Sequence, residues 1–351
     1  MLYSTDDLRI TGIQEVIPPA QLHQELPITD HASETVFNAR ALTQKILRGE
    51  DDRLVVIIGP CSIHDPDAAR EYASLLKPLI SKLKDDLHII MRVYFEKPRS
   101  VVGWKGLIND PYLDGSFKIN DGLHFARKLL LDLAEMEVPA ASEYLDLISP
   151  QYIADLISWG AIGARTTESQ AHRELASGLS CPVGFKNATD GGLQIAVDAS
   201  LSASKPHHFM SLTKAGHSAI FSTTGNPDCH VILRGGKKPN YDADSINETA
   251  EIIGRSGQRA RFMVDCSHAN SGKSHLQQEV VCRDVAAQIA AGEKRVMGLM
   301  LESNLVAGRQ NTEAGKELVY GQSITDACMA WDNSETLLHE LAAAVRQRRL
   351  K

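Results

Sequence analysis

Short apolar, β-branched runs return along the whole chain: LVVIIG from Leu54, LHIIMRVYF from Leu87, VPAASEYL from Val138, AIGA from Ala161, CPVGFK from Cys181, HVILRGG from His230, RFMVDCSH from Arg261 and RVMGLMLES from Arg295. They alternate little between apolar and polar residues, the pattern of strands buried on both faces in a parallel sheet. Parallel neighbours need crossover connections, and the stretches DAAREYASLLKPLISKL, PQYIADLISWG and DVAAQIAAGE read as the amphipathic helices that supply them. Eight strands alternating with helices predict an α/β fold, a (β/α)8 TIM barrel, over residues 51–351.

Two segments stand outside that repeat. Residues 1–50 precede the first strand and carry VIPPA and LPITDH, which read as an N-terminal extension packed outside the barrel. Residues 206–229 read as a β-hairpin inserted before the sixth strand, its halves flanking KAGH and closing on Gly-Asn-Pro. Neither is needed to close a barrel, so both are candidates for regulation or assembly, with a decorative surface as the equal alternative.

Composition narrows the partners. Hydrophobic residues make up 43% of the chain, enough for a sizeable core, and a net charge of −7 argues against a nucleic acid held by bulk charge. The N-terminal MLYSTDDLRI has no apolar core and does not read as a signal peptide. No apolar run reaches the roughly 18 residues that would span a bilayer, so no membrane partner is expected. Six cysteines without paired spacing fit reduced thiols and a cytoplasmic protein.

Chemistry in such barrels gathers at the C-terminal ends of the strands. Those ends carry Cys61, Arg92 with Lys97, Glu143, Arg165, Lys186, Arg234, His268 and Glu302, so each of the eight strands delivers an ionisable residue to one rim. A single charge there would be a solvated strand end, but a full ring on an acidic protein points to a ligand. The cations lack the interleaved aromatics of a nucleic-acid platform and suit a small polyanion, whose phosphate or carboxylate matches the planar fork of arginine. Lys97, Arg99, Ser100 and Lys105 fall within nine positions, enough charge for a second phosphate.

Cys61, His268 and Glu302 follow the first, seventh and eighth strands, which adjoin in a closed barrel, and Asp326 in GQSITDAC could supply a fourth ligand. Sulfur, nitrogen and carboxylate together suit a divalent transition metal (Mn, Fe, Co or Zn) better than Mg or Ca. Two alternatives stay open: a buried free thiol beside a solvated imidazole, and a nucleophile built from Cys61 and His64. The second leaves the ring of cations unexplained. Asp65, just before Pro66, reads as a helix cap.

The motifs GPCSIHD, MRVYFEKPR, GWKGLINDP, WGAIGARTTESQ, CPVGFKN, ILRGGKKPNY and SITDAC resemble those of the feedback-regulated type I (alpha subclass) 3-deoxy-D-arabino-heptulosonate-7-phosphate (DAHP) synthases, from about Asp6 to the C-terminus. The resemblance implies a metal-dependent, aldol-like condensation of phosphoenolpyruvate (PEP) with D-erythrose 4-phosphate and water, giving DAHP and phosphate at the start of the shikimate pathway. It places one divalent metal per subunit on Cys61, His268, Glu302 and Asp326. It places PEP on Arg92, Lys97, Arg165, Lys186, Arg234 and the backbone at Gly163 and Ala164, and the aldose phosphate on Arg99, Ser100 and Asp326. Lys97 is the candidate proton donor to the new alkoxide, and Glu143 the group that positions or deprotonates the water. Cys328, two residues after Asp326, is expected to approach Cys61 and to form an oxidative disulfide when metal is absent. Two positions depart from the family pattern: Ser100 stands where threonine is common, and Ala188 where glycine is usual. A positive φ at Ala188 would cost roughly 1 kcal/mol.

The resemblance also implies an aromatic amino-acid inhibitor site around the hairpin, matching Asp146, Leu147, Gln151, Leu175, Leu179, Ser180, Phe209, Ser211 and Phe221. Asp6 and Asp7 would reach it from a partner subunit, within a tetramer built from dimers. Serine at the position of Ser211 accompanies phenylalanine sensitivity in the family and glycine tyrosine sensitivity, because a side chain there crowds the para hydroxyl. Phenylalanine is therefore the expected inhibitor, in a pocket that Phe221 narrows. The rival readings are a 3-deoxy-octulosonate 8-phosphate synthase, usually without the extension and hairpin, a non-catalytic amino-acid-binding protein, and a Cys-dependent hydrolase insensitive to chelators.

Overall fold

The structure, a computed structural model, describes residues 3–99, 101–312 and 316–351. Eight parallel strands close a barrel: β1 (Leu54–Gly59), β2 (Leu87–Arg92), β3 (Ala140–Glu143), β4 (Ile157–Ile162), β5 (Val183–Lys186), β8 (Cys229–Leu233), β9 (Phe262–Asp265) and β10 (Val296–Glu302). Two antiparallel strands, β6 (His208–Leu212) and β7 (Ser218–Ser222), form the hairpin between β5 and β8. The helices are α1 (Pro19–Glu25), α2 (Asp30–Arg48), α3 (Pro66–Leu83), α4 (Ile119–Glu135), α5 (Pro150–Ile153), α6 (Gln170–Gly178), α7 (Gln194–Ala203), α8 (Ala243–Arg255), α9 (His275–Ala290) and α10 (Trp331–Arg349). Among the described residues no helix is long and apolar enough to cross a membrane.

The doubly apolar strands divide their side chains between two cores. Leu54, Val56 and Ile58 of β1 pack outward against the helices, while Val55 and Ile57 point into the barrel with Ile90, Trp159, Ile232, Met263 and Met300. Each such side chain, taken fully out of water, contributes about 1.5–3 kcal/mol. The inner cluster also contains Ile46 and Leu47 from the last turn of α2. The segment expected to pack outside the barrel thus sends its helix end to the inner cluster, where the two consecutive apolar residues Ile46 and Leu47 are buried together. Thr29 caps that helix through Ala32 N at 3.1 Å, and Gly49 ends it with a left-handed φ of 72°.

The fourth strand differs from its sequence reading. PQYIADLISWG reads as one helix, but α5 is a single turn, a 3-10 turn covers Ala154–Leu156, and β4 already starts at Ile157. Trp159 is fully buried inside the barrel, and Ile157 and Ile162 pack outside it. Burial on both faces favours a strand over an amphipathic helix here. After β10 the chain makes a small two-stranded sheet, β11 (Val306–Arg309) and β12 (Gln322–Ser323), and returns over the rim. Gly308 and Cys328 exchange backbone hydrogen bonds of 2.8 and 3.1 Å, which delivers Asp326 to the end of β1.

Arg127 on α4 ties this frame to the N-terminal segment. Its buried guanidinium donates to Leu26 O (2.9 Å), Tyr152 O (2.8 Å) and both carboxylate oxygens of Asp155 (2.8 and 2.9 Å). Arg127→Met leaves two carbonyls and a carboxylate without their donor, and it is expected to destabilise the protein by roughly 3 kcal/mol. A thermal or urea midpoint unchanged from wild type would contradict that assignment.

Candidate active site and metal centre

Every rim residue expected from the strand ends lies at the C-terminal end of its strand or in the loop that follows it. Arg92, Glu143, Lys186 and Glu302 are the last residues of β2, β3, β5 and β10, and Arg234 directly follows β8. Glu143, Lys186 and Arg234 border a cavity of about 360 Å³ that is also lined by Lys97, Arg99, Gly163, Ala164, Arg165, His268 and Asp326, among others, while Arg92 and Glu302 do not line it. Ser100 lies outside the described residues. A Cβ at Gly163 would stand 2.5 Å from Glu143 Oε1, so a larger residue there would push that carboxylate aside.

Cys61, Glu302 and Asp326 bring their ligand atoms within 4.8 Å of one another beside this cavity. Cys61 is fully buried, and its Sγ accepts from Lys97 Nζ at 3.1 Å and donates to Asp326 Oδ2 at 3.6 Å. His268 is not a member of that close trio, but its Nε2 is 4.0 Å from Glu302 Oε1. A void of about 10 Å³, room for one small ion or water, is bordered by His268, Glu302 and Asp326. Glu302 Oε1 is buried without a hydrogen bond. Arg92 Nη2 stands 3.1 Å from it as an ion-pair partner but not along a hydrogen-bond direction. An orphaned buried carboxylate oxygen and a second carboxylate beside an ion-sized void, with a thiol within 4.8 Å of both, fit a divalent transition metal.

The electrostatics follow from burial. Burial and then Glu302 push the Cys61 thiol up, against the pull of Lys97. Burial works against the charge on Lys97, yet Cys61 and Glu302 hold its pKa above the ordinary lysine value. Burial would also raise the Asp326 carboxyl, but Lys97, His268 and Lys273 hold it below the usual range. No hydrogen bond joins Cys61 Sγ to His64 among the described residues, so the thiol–imidazole pair is not assembled. Asp65 caps α3 instead, accepting from Asp67 N (2.8 Å) and Ala68 N (3.2 Å). Cys328 does approach the site: Cys61 N donates to its Sγ at 3.4 Å.

Arg92 is 1% exposed, its Nε on Pro60 O (3.1 Å), its Nη2 on Cys61 O (3.2 Å) and its guanidinium 3.5 Å from the centre of the Tyr94 ring. Gly59, at φ 152°, allows this packing, because a Cβ there would meet Arg92 O at 2.8 Å. Ala188 does not have positive φ, so the strain that glycine would relieve at this position is absent. His268 (φ 56°) and Lys273 (φ 63°), both at the rim, do take left-handed backbone conformations, rare for such residues.

Sequence reasoning missed Lys273, which lines the cavity, and Asp265, the fully buried last residue of β9. Asp265 bonds Lys186 Nζ at 2.9 Å and lies 2.9 Å from His268 Nδ1. Burial opposes its charge, yet Lys186, His268 and Ser267 hold its carboxyl well below the usual range. Nothing in VDCSH marks this aspartate as a hub, because its partners come from β5 and the turn after β9.

The hairpin residues matched to an inhibitor site share one face. Phe209, Ser211 and Phe221 are half-buried, and the two phenylalanine rings stack with centroids 6.0 Å apart. Lys214 at the hairpin tip donates to Gln151 O, and Ala20 N donates to Lys214 O at 2.7 Å, joining the tip to α5 and α1. At the hairpin base Thr223 Oγ1 lies 2.8 Å from Ser177 Oγ of α6, the helix that carries Leu175 and precedes Leu179 and Ser180. Asp146 N donates to Glu96 Oε2 at 3.4 Å, Leu147 is 38% exposed, and Asp6 and Asp7 lie in the exposed segment before α1.

Residues 26–339 match the model of the DAHP synthetase I family. The chain is 60% identical over 349 residues to the Phe-sensitive phospho-2-dehydro-3-deoxyheptonate aldolase of Escherichia coli, covering 99% of this chain and 100% of the relative. It is 57% identical to a phospho-2-dehydro-3-deoxyheptonate aldolase of Haemophilus influenzae, covering 99% and 97%. The solved structure of the Francisella tularensis phospho-2-dehydro-3-deoxyheptonate aldolase superposes with a TM-score of 0.95 at 51% identity, covering 97% of this chain and 100% of that one.

Glu96 links the Lys97 segment to the loop after β3. It is buried, accepts from Ser149 Oγ at 3.1 Å, and its pKa is raised from 4.5 to about 7 by burial and by Asp146. A raised carboxyl binds its proton more tightly in the folded state, so its contribution is present at low pH and lost as pH climbs through about 7. From about pH 5 to about pH 8 wild type is expected to lose roughly 2–3 kcal/mol relative to Glu96→Gln. Urea midpoints that move in parallel for both proteins would contradict this.

Proposed function

The chain belongs to the DAHP synthetase I family, and from that membership we infer how its rim carries out the family's reaction. That reaction is the aldol-like condensation of PEP with D-erythrose 4-phosphate and water, giving DAHP and inorganic phosphate at the entry to the shikimate pathway. The observation that carries the assignment of residues is the cavity itself: Lys97, Arg165, Lys186 and Arg234 line it directly beside the Cys61, Glu302 and Asp326 cluster.

PEP carries a carboxylate and a phosphate, and these four cations neutralise and orient it, with Arg92, held on Cys61 O, and the backbone at Gly163 and Ala164 completing the seat. Arg99, which lines the cavity, and Ser100 take the phosphate of the aldose. A divalent transition metal (Mn, Fe, Co or Zn) held by Cys61, His268, Glu302 and Asp326 would supply Lewis-acid polarisation of the aldehyde oxygen. Carbon 3 of PEP forms the new bond to the aldehyde carbon, water adds at carbon 2, and the carbon–oxygen bond to phosphate breaks. Lys97, charged and 3.1 Å from Cys61 Sγ, donates the proton that the new alkoxide needs. Glu143, across the cavity, takes the proton from the water.

Regulation and assembly are read from the periphery. We place an aromatic amino acid, phenylalanine first, against the half-buried hairpin face of Phe209, Ser211 and Phe221. We assign the segment carrying Asp6 and Asp7 to a partner subunit within a tetramer built from dimers, supported by its exposed Leu8, Ile10 and Ile13. Six unpaired cysteines fit a reducing cytoplasm.

Phosphate release from PEP and erythrose 4-phosphate tests the reading. Release is expected to stop with a chelator, to return with Mn²⁺, to fall about 10²–10⁴-fold in Lys97→Met, and to be inhibited more by phenylalanine than by tyrosine. Chelator-insensitive release would overturn the metal role, near-normal turnover of the variant would remove Lys97 from the mechanism, and stronger inhibition by tyrosine would reverse the inhibitor assignment.

A further inference from the structure

The Asp265 side chain is fully buried, and its two carboxylate oxygens have different partners. Oδ1 accepts from Ser267 N at 2.9 Å and from Ser267 Oγ at 2.5 Å. Oδ2 accepts from Lys186 Nζ at 2.9 Å and lies 2.9 Å from His268 Nδ1. Ser267 Oγ, having given its hydrogen to Oδ1, can only accept from His268 Nδ1, which is 2.7 Å away. Both neighbours of Nδ1 are therefore acceptors, so Nδ1 carries the ring proton and Nε2 keeps its lone pair for a metal.

We propose that Asp265 is a positioning residue that couples the metal site to the PEP site through the one carboxylate oxygen shared by His268 and Lys186. The proposal rests on the reading of the rim given above. Coordination at Nε2 draws electron density from the imidazole, and the more positive Nδ1–H edge attracts Oδ2, 2.9 Å away, more strongly. An oxygen more engaged with His268 holds the Lys186 ammonium less tightly, and Lys186 lines the cavity where the anion sits. Metal binding thus releases Lys186 toward PEP. By reciprocity PEP, drawing Lys186 to itself, leaves Oδ2 to His268 and tightens the metal. Asp265 achieves this without touching either ligand.

Asp265→Asn keeps the shape and removes the charge. Mn²⁺ affinity is read from the electron paramagnetic resonance of the free ion, and PEP affinity by calorimetry without the aldose, each in the presence and absence of the other ligand. Mn²⁺ affinity is expected to fall about 10–100-fold. The factor by which PEP tightens Mn²⁺, roughly fivefold or more in wild type, is expected to fall at least about threefold. The residue left is direct attraction between the two ions. A variant with wild-type Mn²⁺ affinity, or with undiminished coupling, overturns the proposal. If circular dichroism shows Asp265→Asn unfolded, Ser267→Ala takes its place, since it removes the hydroxyl shared by Oδ1 and Nδ1. It is expected to weaken Mn²⁺ several-fold while metal-free PEP affinity is unchanged, and wild-type Mn²⁺ affinity there overturns the proposal. Wild-type protein that binds Mn²⁺ but no PEP would instead overturn the reading of the rim.

Discussion

A buried carboxylate, Glu302, faces a buried thiol and a second carboxylate, with Arg92 and Lys97 pressed against them. Three acid groups within 4.8 Å repel one another as they ionise, and taking them out of water adds a cost of several kcal/mol per ion. The cluster persists because the barrel over-determines it. Glu302 ends β10 beside Gly59 of β1, and Arg92 ends β2 on the other side of β1. The missing Cβ at Gly59 lets Arg92 pass close enough to hold Pro60 O and Cys61 O. A divalent cation offsets the same repulsion, so the charge problem and the chemistry have one solution.

Much of this was legible in the sequence because strand ends and apolar runs are local signals. Cys61, Lys186, Arg234 and Glu302 each lie at the end of a short β-branched apolar run bounded by turn residues, the local signature of a buried strand. Asp326 was readable only through its motif, since it reaches the rim by a return loop whose pairing, Gly308 with Cys328, has no periodicity to announce it. Asp265 and Lys273 carried no signal, because their importance lies in partners from other elements. The start of β4 was misread because ISWG follows a helical turn, and only packing around Trp159 decides between helix and strand. The last turn of α2 held a clue in Ile46 and Leu47, an apolar pair that reached further inward than an external extension needs.

The inserted hairpin stands apart from the catalytic rim, yet it is not isolated from it. Its tip holds Gln151 O and Ala20 N, and the loop that carries Asp146 bonds Glu96, the neighbour of Lys97. A ligand that moves the loop after β3 therefore acts on a segment whose next residue lines the cavity. The outer hairpin face exposes Met210 and Ile220. Both faces of the hairpin are thus available to contacts that the barrel itself does not make.

The central claim is that Cys61 holds a metal rather than attacking a substrate or merely filling space. Absorption spectra of the metal-free protein titrated with Co²⁺ test it most directly, because a thiolate bound to Co²⁺ gives a near-ultraviolet charge-transfer band that oxygen and nitrogen ligands do not. One equivalent of Co²⁺ is expected to produce that band in wild type, and Cys61→Ala to abolish it. Co²⁺ binding without the band, or a band that survives in Cys61→Ala, would contradict the account.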